Sequence, residues 1–274
     1  MNKLNTEKQV QVVKCLVEGN SIRAAVRMTG VAKNTIVKLL SNLGEACAQY
    51  QQKHLVNLQC KTIQCDEIWS FVYAKEKNVP DNLKGKAGDV WTWTAMCADS
   101  KLICSFALGN RDAWTGRMFM EDLASRLANR VQLTTDGHRA YLEAVERAFG
   151  SEIDFAQLIK IYGGDETYER KYSSDNCIGT RVETIKGKPN AGKISTSYVE
   201  RQNLTMRMSM RRFTRLTNGF SKKVENHYCA IALYFMHYNF CRIHQTLRVT
   251  PAMEAGLTNH VWEIEELLNL LISN

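Results

Sequence analysis

The succession of residue patterns between positions 62 and 162 constrains the fold more than any other feature. Residues 62–73, 90–98 and 102–108 are runs rich in β-branched and aromatic side chains, and the last two are joined by an Asp99-Ser100-Lys101 turn. The period then changes. Met118, Phe119, Leu123 and Leu127 recur at helical spacing, so 113–129 predicts an amphipathic helix with these side chains inward. A short strand at 131–135, a helix at 141–149 and a strand at 153–162 follow. Three strands, a helix, a strand, a helix and a strand make an α/β domain.

The flanks read differently. In 1–43, Val10, Val13, Cys15, Leu16 and Val17 give one apolar face, and Gly19-Asn20-Ser21 stops that helix and caps the next. A short helix at 22–28, a tight turn at Thr29-Gly30-Val31 and a third helix at 32–43 have helix-turn-helix spacing. Gly30 suits a left-handed turn position. Val31, Ile36, Leu39 and Leu40 are expected inward. Lys33, Asn34, Thr35 and Lys38 are expected outward, at the end of the helix that would enter a major groove. A plain three-helix bundle without a ligand is the bland alternative. The Gln-rich stretch 44–60 is expected as a helical or extended linker, and 163–195 as a long loop or small insertion. Helices are expected at 196 to about 216, at 222 to about 240 and at 261–272. The expected division is therefore a helix-turn-helix domain at 1–43, a linker at 44–60, an α/β domain at 61–256 and a C-terminal helix at 257–274.

Lys plus Arg number 36 against 28 Asp plus Glu, a formal net charge of +8. That balance favours a polyanionic partner; an anionic membrane surface is the rival and a solvated surface the bland reading. The nine cysteines are odd in number and contain no Cys-x-x-Cys pair, so buried reduced thiols are expected. The first residues are polar and no apolar run approaches the roughly 20 residues of a membrane span. The expectation is a cytoplasmic protein with no membrane partner.

Three segments carry the chemistry. Asp66 lies in Cys65-Asp66-Glu67-Ile68-Trp69, Asp136 in Thr134-Thr135-Asp136-Gly137-His138-Arg139-Ala140-Tyr141, and Glu200 in Ser197-Tyr198-Val199-Glu200-Arg201-Gln202-Asn203. Carboxylates are hard oxygen ligands suited to Mg²⁺ or Mn²⁺. Three of them gathered by a fold could hold two ions and support in-line displacement at phosphorus. Taken singly, Asp66 could be an exposed edge residue and Asp136 part of an ordinary Asp-Gly turn. Glu200, Asn203, Arg207 and Arg211 recur at helical spacing along one face. From Glu200 to Lys223 the bases are Arg201, Arg207, Arg211, Arg212, Arg215, Lys222 and Lys223, with Glu200 the only acid, which suits phosphate contacts. Glu67 is expected on the opposite side of its strand, in a structural or supporting role. Glu183 is a rival third acid in the irregular insertion. His138 reads as a substrate contact or a support for the site, or equally as a plain surface histidine, and Trp69, Trp91 and Trp93 read as core rather than as base-stacking rings.

Glu200-Arg201-Gln202-Asn203-Leu204-Thr205-Met206-Arg207 fits a Glu-Arg-x-Asn-(x)₃-Arg signature. The match extends through Arg211-Arg212-Phe213-Thr214-Arg215, Phe220-Ser221-Lys222-Lys223, Tyr238-Asn239-Phe240-Cys241-Arg242-Ile243-His244-Gln245-Thr246-Leu247 and Thr250-Pro251-Ala252. These motifs resemble the DDE transposases of bacterial insertion sequences, most closely the insertion sequence 1 family. The resemblance implies a ribonuclease-H-like catalytic domain. Asp66 would sit on its first strand, Asp136 at the end of the neighbouring fourth, and Glu200 on a helix crossing the sheet. It implies catalysis and metal binding by Asp66, Asp136 and Glu200, with two Mg²⁺ or Mn²⁺ ions. Double-stranded DNA would be the partner, as element ends and as target. DNA contacts fall to Lys33, Asn34, Thr35, Lys38, Arg201, Asn203, Arg207, Arg211, Arg212 and Arg215. It further implies a homodimer or higher assembly on DNA, in the bacterial cytoplasm and nucleoid-associated when bound. The expected function is a transposase that binds terminal repeats, cleaves strands and transfers them. A non-catalytic DNA-binding repressor or decayed copy is the rival, as is a nuclease of the same fold.

Overall fold

The computed structural model describes residues 4–163, 176–214 and 218–272. Three helices come first: α1 Thr6–Val17, α2 Ile22–Thr29 and α3 Lys33–His54. They precede β1 Thr62–Val72, β2 Gly88–Cys97, β3 Ile103–Gly109, α4 Ala113–Arg126, β4 Val131–Thr135, α5 Ala140–Phe149, β5 Ile153–Gly163 and β6 Asn176–Lys186. The chain then forms α6 Ser197–Ser209, α7 Val224–Phe240, α8 Pro251–Glu254 and α9 Ile264–Asn269. The strand and helix succession expected for 62–162 is realised to within a few residues.

The six strands form one mixed sheet in the order β3-β2-β1-β4-β5-β6. β1 pairs antiparallel with β2 and parallel with β4; β4 and β5 are parallel, and β5 and β6 antiparallel. Side chains alternate across a strand. Even positions of β1 meet α6 and α7: Gln64 and Asp66 bond to α6 residues, and Ser70 to His227 of α7. The other face meets α4 and α5, where the buried Trp93 packs on Phe119 and Tyr141. Helices thus cover both faces of the sheet.

The N-terminal helices follow the expected local chemistry. Ser21 Oγ accepts from the Ala24 amide at 3.1 Å, capping α2, and Gly30 ends it at φ 71°. Val12, Cys15, Ala25, Val31 and Ile36 form a small core between these helices. No break falls at residue 43. α3 runs on to His54 because Gly44, Ala46, Cys47 and Gln51 continue its buried stripe. That stripe lies against α7: Gln51 Nε2 donates to the carbonyl of Ala232 at 3.1 Å. Val10, Val13 and Val17 of α1 belong to the same core as Ile63 and Trp93 of the sheet.

Four other expectations change. The 163–195 stretch holds a strand, β6, whose exposed and half-exposed residues gave no alternation to read. Residues 164–175 of that stretch lie outside the described residues. The helix expected to reach 216 ends at Ser209; Met210 turns extended, and a 3₁₀ turn at Arg211–Phe213 buries Phe213. Met118 is exposed, since α4 turns Phe119, Met120 and Leu123 to the core instead, and Leu127 lies just past its end. The last helix is shortened to Ile264–Asn269, started by a capping box between Glu263 and Glu266. All nine cysteines are free, seven of them buried. No described helix is long and apolar enough to cross a membrane.

Candidate active site

The β1–β4 register sets Ile63 against Leu133 and Gln64 against Thr134. Continued two residues, it brings Asp66 level with Asp136, which stands just past the end of β4. Asp136 is fixed there by its neighbours. Its Oδ1 accepts from the His138 amide at 2.9 Å, and its carbonyl accepts from Gln157 Nε2 of β5 at 2.9 Å. Gly137 is required by close approach, because a Cβ there would fall 2.9 Å from Ile159 Cγ1.

Asp66 is held by neutral donors. Its Oδ1 accepts from the Glu67 amide and its Oδ2 from Asn203 Nδ2 of α6, each at 2.8 Å. Gln64, two residues earlier, caps the same helix: its Oε1 accepts from the amides of Tyr198 at 2.8 Å and Val199 at 3.2 Å. Those are amides an α-helix leaves unpaired at its start. One strand therefore fastens the helix that carries Glu200.

Glu67 points to the other face of the sheet, as the strand period requires, yet its carboxylate rejoins the site. Asp136 lies beyond the strand end and is reachable from both faces. One oxygen from each of Asp66, Glu67 and Asp136 lies within 4.8 Å of the others. The Arg111 guanidinium bridges two of them, with Nε 3.1 Å from Glu67 and Nη2 3.2 Å from Asp136. Burial, then the Asp136 charge, pushes the carboxyl groups of Asp66 and Glu67 up to about 7.

Glu200 lines the same cleft of ≈ 500 Å³ but stands outside the tight cluster. Its Oε1 accepts from Thr196 Oγ1 and its Oε2 from Lys160 Nζ, both at 2.6 Å. The structure thus gathers Asp66, Asp136 and Glu200 around one cleft and adds Glu67, Arg111 and Lys160. Arg111 and Lys160 carried no motif in the sequence; only their positions after β3 and on β5 reveal them.

Glu183 stands on a scaffold after all. It is on β6, opposite Gln157, and ion-pairs with Arg181 at 2.6 Å away from the cleft. His138 is half-buried: its ring packs against Trp93 and Tyr141, and burial lowers its pKa. Trp93 is core, but Trp69 and Trp91 are only half-buried.

The basic candidates divide. Lys33, Asn34, Thr35 and Lys38 are all exposed on the first turns of α3. Arg201 is exposed, Arg207 borders the carboxylate cleft, and Asn203 is buried against Asp66. Arg211 lies past the end of α6, so it does not share the helix face expected of it, although it is exposed. Arg212 is turned inward onto Ser221 Oγ, and burial lowers its pKa to about 10. Arg215 lies outside the described residues. A larger cleft of ≈ 830 Å³, sharing no residue with the first, runs between α3 and residues 210–212 and 218–223, lined by Arg23, Lys33, Arg211, Lys222 and Lys223 among others.

The donor set fits divalent cations. It is all carboxylate, with one oxygen from each of Asp66, Glu67 and Asp136 close enough to share an ion. Asp66, Glu67 and Asp136 would hold an ion, and Glu200 is placed to add a ligand from across the cleft.

Residues 171–241 match the family model described as IS1 transposase. That stretch contains Glu200, Asn203 and Arg207 but neither Asp66 nor Asp136. No curated protein matches the chain. Among similar solved structures is a Mos1 transposase paired-end complex with left transposon end, 11% identical with a TM-score of 0.23, covering 56% of this chain and 60% of its own. Another is a Mos1 strand transfer complex, 11% identical with a TM-score of 0.25, covering 85% of this chain and 78% of its own. The chain therefore spans 60% of the length of the first. Superpositions of that quality carry no argument about fold or function. The family match bears out the resemblance drawn from the sequence, to the DDE transposases of the insertion sequence 1 family.

Proposed function

We propose that the chain, similar over 171–241 to IS1 transposase, is a metal-dependent DNA transposase of the DDE type with a ribonuclease-H-like core. The observation that carries the reading is the meeting of Asp66 and Asp136 at the ends of parallel neighbouring strands, with Glu200 across the same cleft.

The residues divide the work. Asp66, Asp136 and Glu200 are the catalytic and metal-binding carboxylates, with Glu67 as an additional ligand. Bound Mg²⁺ or Mn²⁺ would supply activation of the attacking hydroxyl and neutralisation of charge on the leaving oxygen. Asn203 holds Asp66 in place, and Gln64 holds the helix bearing Glu200. Arg207, at the cleft border, and exposed Arg201 on the same helix supply positive charge for the DNA backbone. Lys33, Asn34, Thr35 and Lys38 are the groups by which a helix-turn-helix would read the element ends. An assembly of two or more chains would be needed to hold two ends.

The test is strand cleavage and joining on duplexes taken from the DNA flanking the coding region. Activity should need Mg²⁺ or Mn²⁺ and stop in EDTA. Cleavage that persists in excess EDTA would overturn the site. Cleavage without transfer of a 3′-hydroxyl to new DNA would make the protein a nuclease, and end-specific binding without cleavage would make it a repressor.

A further inference from the structure

The β1–β2 ribbon overhangs its sheet. β1 pairs with β4 only over Thr62–Gln64, but with β2 as far as Val72. On the face shared by Glu67 and Trp93, helices α4 and α5 cover Trp93. Beyond it the face carries Trp69, its pairing partner Trp91, and Phe71, all half-exposed, with Tyr73 next along the chain and 40% exposed. Phe220, from the segment before α7, extends the row: Trp69–Phe71 ring centroids are 5.8 Å apart and Phe71–Phe220 4.9 Å.

Cations stand over these rings. Arg111 lies 5.1 Å from the Trp91 ring and Lys75 5.7 Å from Trp69. Lys222 lies 4.2 Å from Phe220 and 5.0 Å from Tyr73. Lys75 and Lys222 are exposed. The acid opposite Phe71 in the register, Asp89, has its Oδ1 taken by the Glu76 amide at 3.1 Å. Tyr73 sits at φ 66°, a conformation that bulky L residues rarely adopt and that glycine takes freely. Tyr73 nevertheless holds its ring 40% exposed, with Lys222 5.0 Å from it.

We propose that this strip binds unpaired DNA nucleotides leading to or from the carboxylate cleft. Half-exposed rings offer faces for bases, and long cationic side chains beside them reach the phosphates. A duplex hides its base faces, so only an unpaired strand can use the row. Arg111 joins the strip to the cleft, since the same guanidinium stands over Trp91 and bonds Glu67 and Asp136. The direction of the strand towards a cleavage site rests on the function proposed above; the base-stacking surface does not.

The test uses the full chain in EDTA and three probes: an oligothymidylate of about 12 nucleotides, an abasic deoxyribose-phosphate oligomer of equal length, and a matching duplex. The oligothymidylate should bind and quench tryptophan fluorescence, and the abasic oligomer should bind about tenfold more weakly. Tyr73→Gly should weaken oligothymidylate binding about tenfold, leave duplex binding unchanged and leave the melting temperature unchanged or higher. Equal binding of the abasic oligomer would overturn the proposal without any variant. So would undiminished binding by Tyr73→Gly, or self-association through the strip with no oligothymidylate bound. Because these measurements need no metal, lost cleavage with intact oligothymidylate binding sinks only the transposase reading. Intact cleavage without that binding sinks only the strip.

Discussion

Lys160 on β5 and Glu200 on α6 form an ion pair of 2.6 Å in the carboxylate cleft. Arg111 does the same for Glu67 and Asp136. Three of the four acids therefore have a cation at ion-pair distance, whereas among the described residues the hydrogen bonds to Asp66 come from neutral donors. A divalent ion would take over the role these bases play.

The first prediction separates binding from catalysis. Glu200→Gln keeps the size of the side chain and, with similar helix propensity, keeps α6. It removes the charge a divalent ion requires. Strand cleavage and joining should fall by roughly a hundredfold or more, as with Asp66→Asn and Asp136→Asn, while gel-shift affinity for DNA holds. Glu183→Gln, paired with Arg181 outside the cleft, should stay active. Near-normal strand transfer in Glu200→Gln would move the third ligand elsewhere.

The second concerns Arg111. Replacing it by glutamine leaves Glu67 and Asp136 close together without their shared counter-charge. In EDTA, Arg111→Gln should lower the melting temperature by about 2–4 °C, as a loss of about 1 kcal/mol would. Mg²⁺ should restore more stability to the variant than to the parent protein. An equal Mg²⁺ response in both would show that Arg111 does not stand in for a cation.

How much of this was legible follows from where the information lies. The strands at 62–72 and 131–135 announce themselves by local side-chain pattern, and Asp66 and Asp136 travel with them. Lys160 and Arg111 do not, because their roles exist only once β5 and the β3–α4 connection are placed. Gln64 is similar: a polar residue at a buried strand position looks like a defect until α6 arrives for it to cap. Glu67 was set aside by the alternation rule, which was right about its face and silent about the chain end that both faces share. The helical stripe past residue 43 was masked by glutamines, since the burial of Gln51 depends on acceptors that Cys47 and, across the packing, Ala232 supply.

That stripe gives the third prediction. A Cβ on Gly44 would meet the carbonyl oxygen, Cβ and Cα of Cys229 on α7, the Cα at 2.6 Å. Backbone atoms cannot step aside, so α3 and α7 must separate. Gly44→Ala should destabilise the protein by about 1–3 kcal/mol in urea unfolding, despite alanine's better helix propensity. Unchanged or increased stability would mean that the two helices are not packed this closely.

The fourth rests on His227. It is fully buried on α7 with Ser70 Oγ and Ser221 Oγ each 2.9 Å from its ring nitrogens, Phe213 against its ring and Arg212 beyond. Burial, then the Arg212 charge, lowers its pKa to about 3 from 6.5. The folded state holds it neutral while the unfolded chain protonates it below 6.5. Its contribution is thus fully present above pH 6.5 and is lost as pH falls from there towards 3, by several kcal/mol at the acid end. His227→Gln should flatten the stability profile across that window. A profile as steep as the parent's would assign the acid sensitivity to other groups.

The last prediction concerns end recognition, where the fold decides which experiment is informative. Deleting residues 1–43 would cut through α3 and strip Val10, Val13, Val17, Leu40 and Leu43 from the shared core. Loss of DNA binding in such a truncation would report unfolding. Lys33, Asn34, Thr35 and Lys38 are exposed on the first turns of α3, so replacing them by alanine leaves the core intact. If this helix reads the element ends, Asn34→Ala and Thr35→Ala should reduce discrimination between end and random duplex by about 1–3 kcal/mol. Lys33→Ala and Lys38→Ala should instead weaken binding to both duplexes alike and lower the salt dependence by about one unit each. Residual salt-sensitive binding should remain, from Arg201, Arg207 and the 210–223 segment. Unaltered discrimination in the double Asn34→Ala, Thr35→Ala variant, with its melting temperature intact, would place end recognition on another surface.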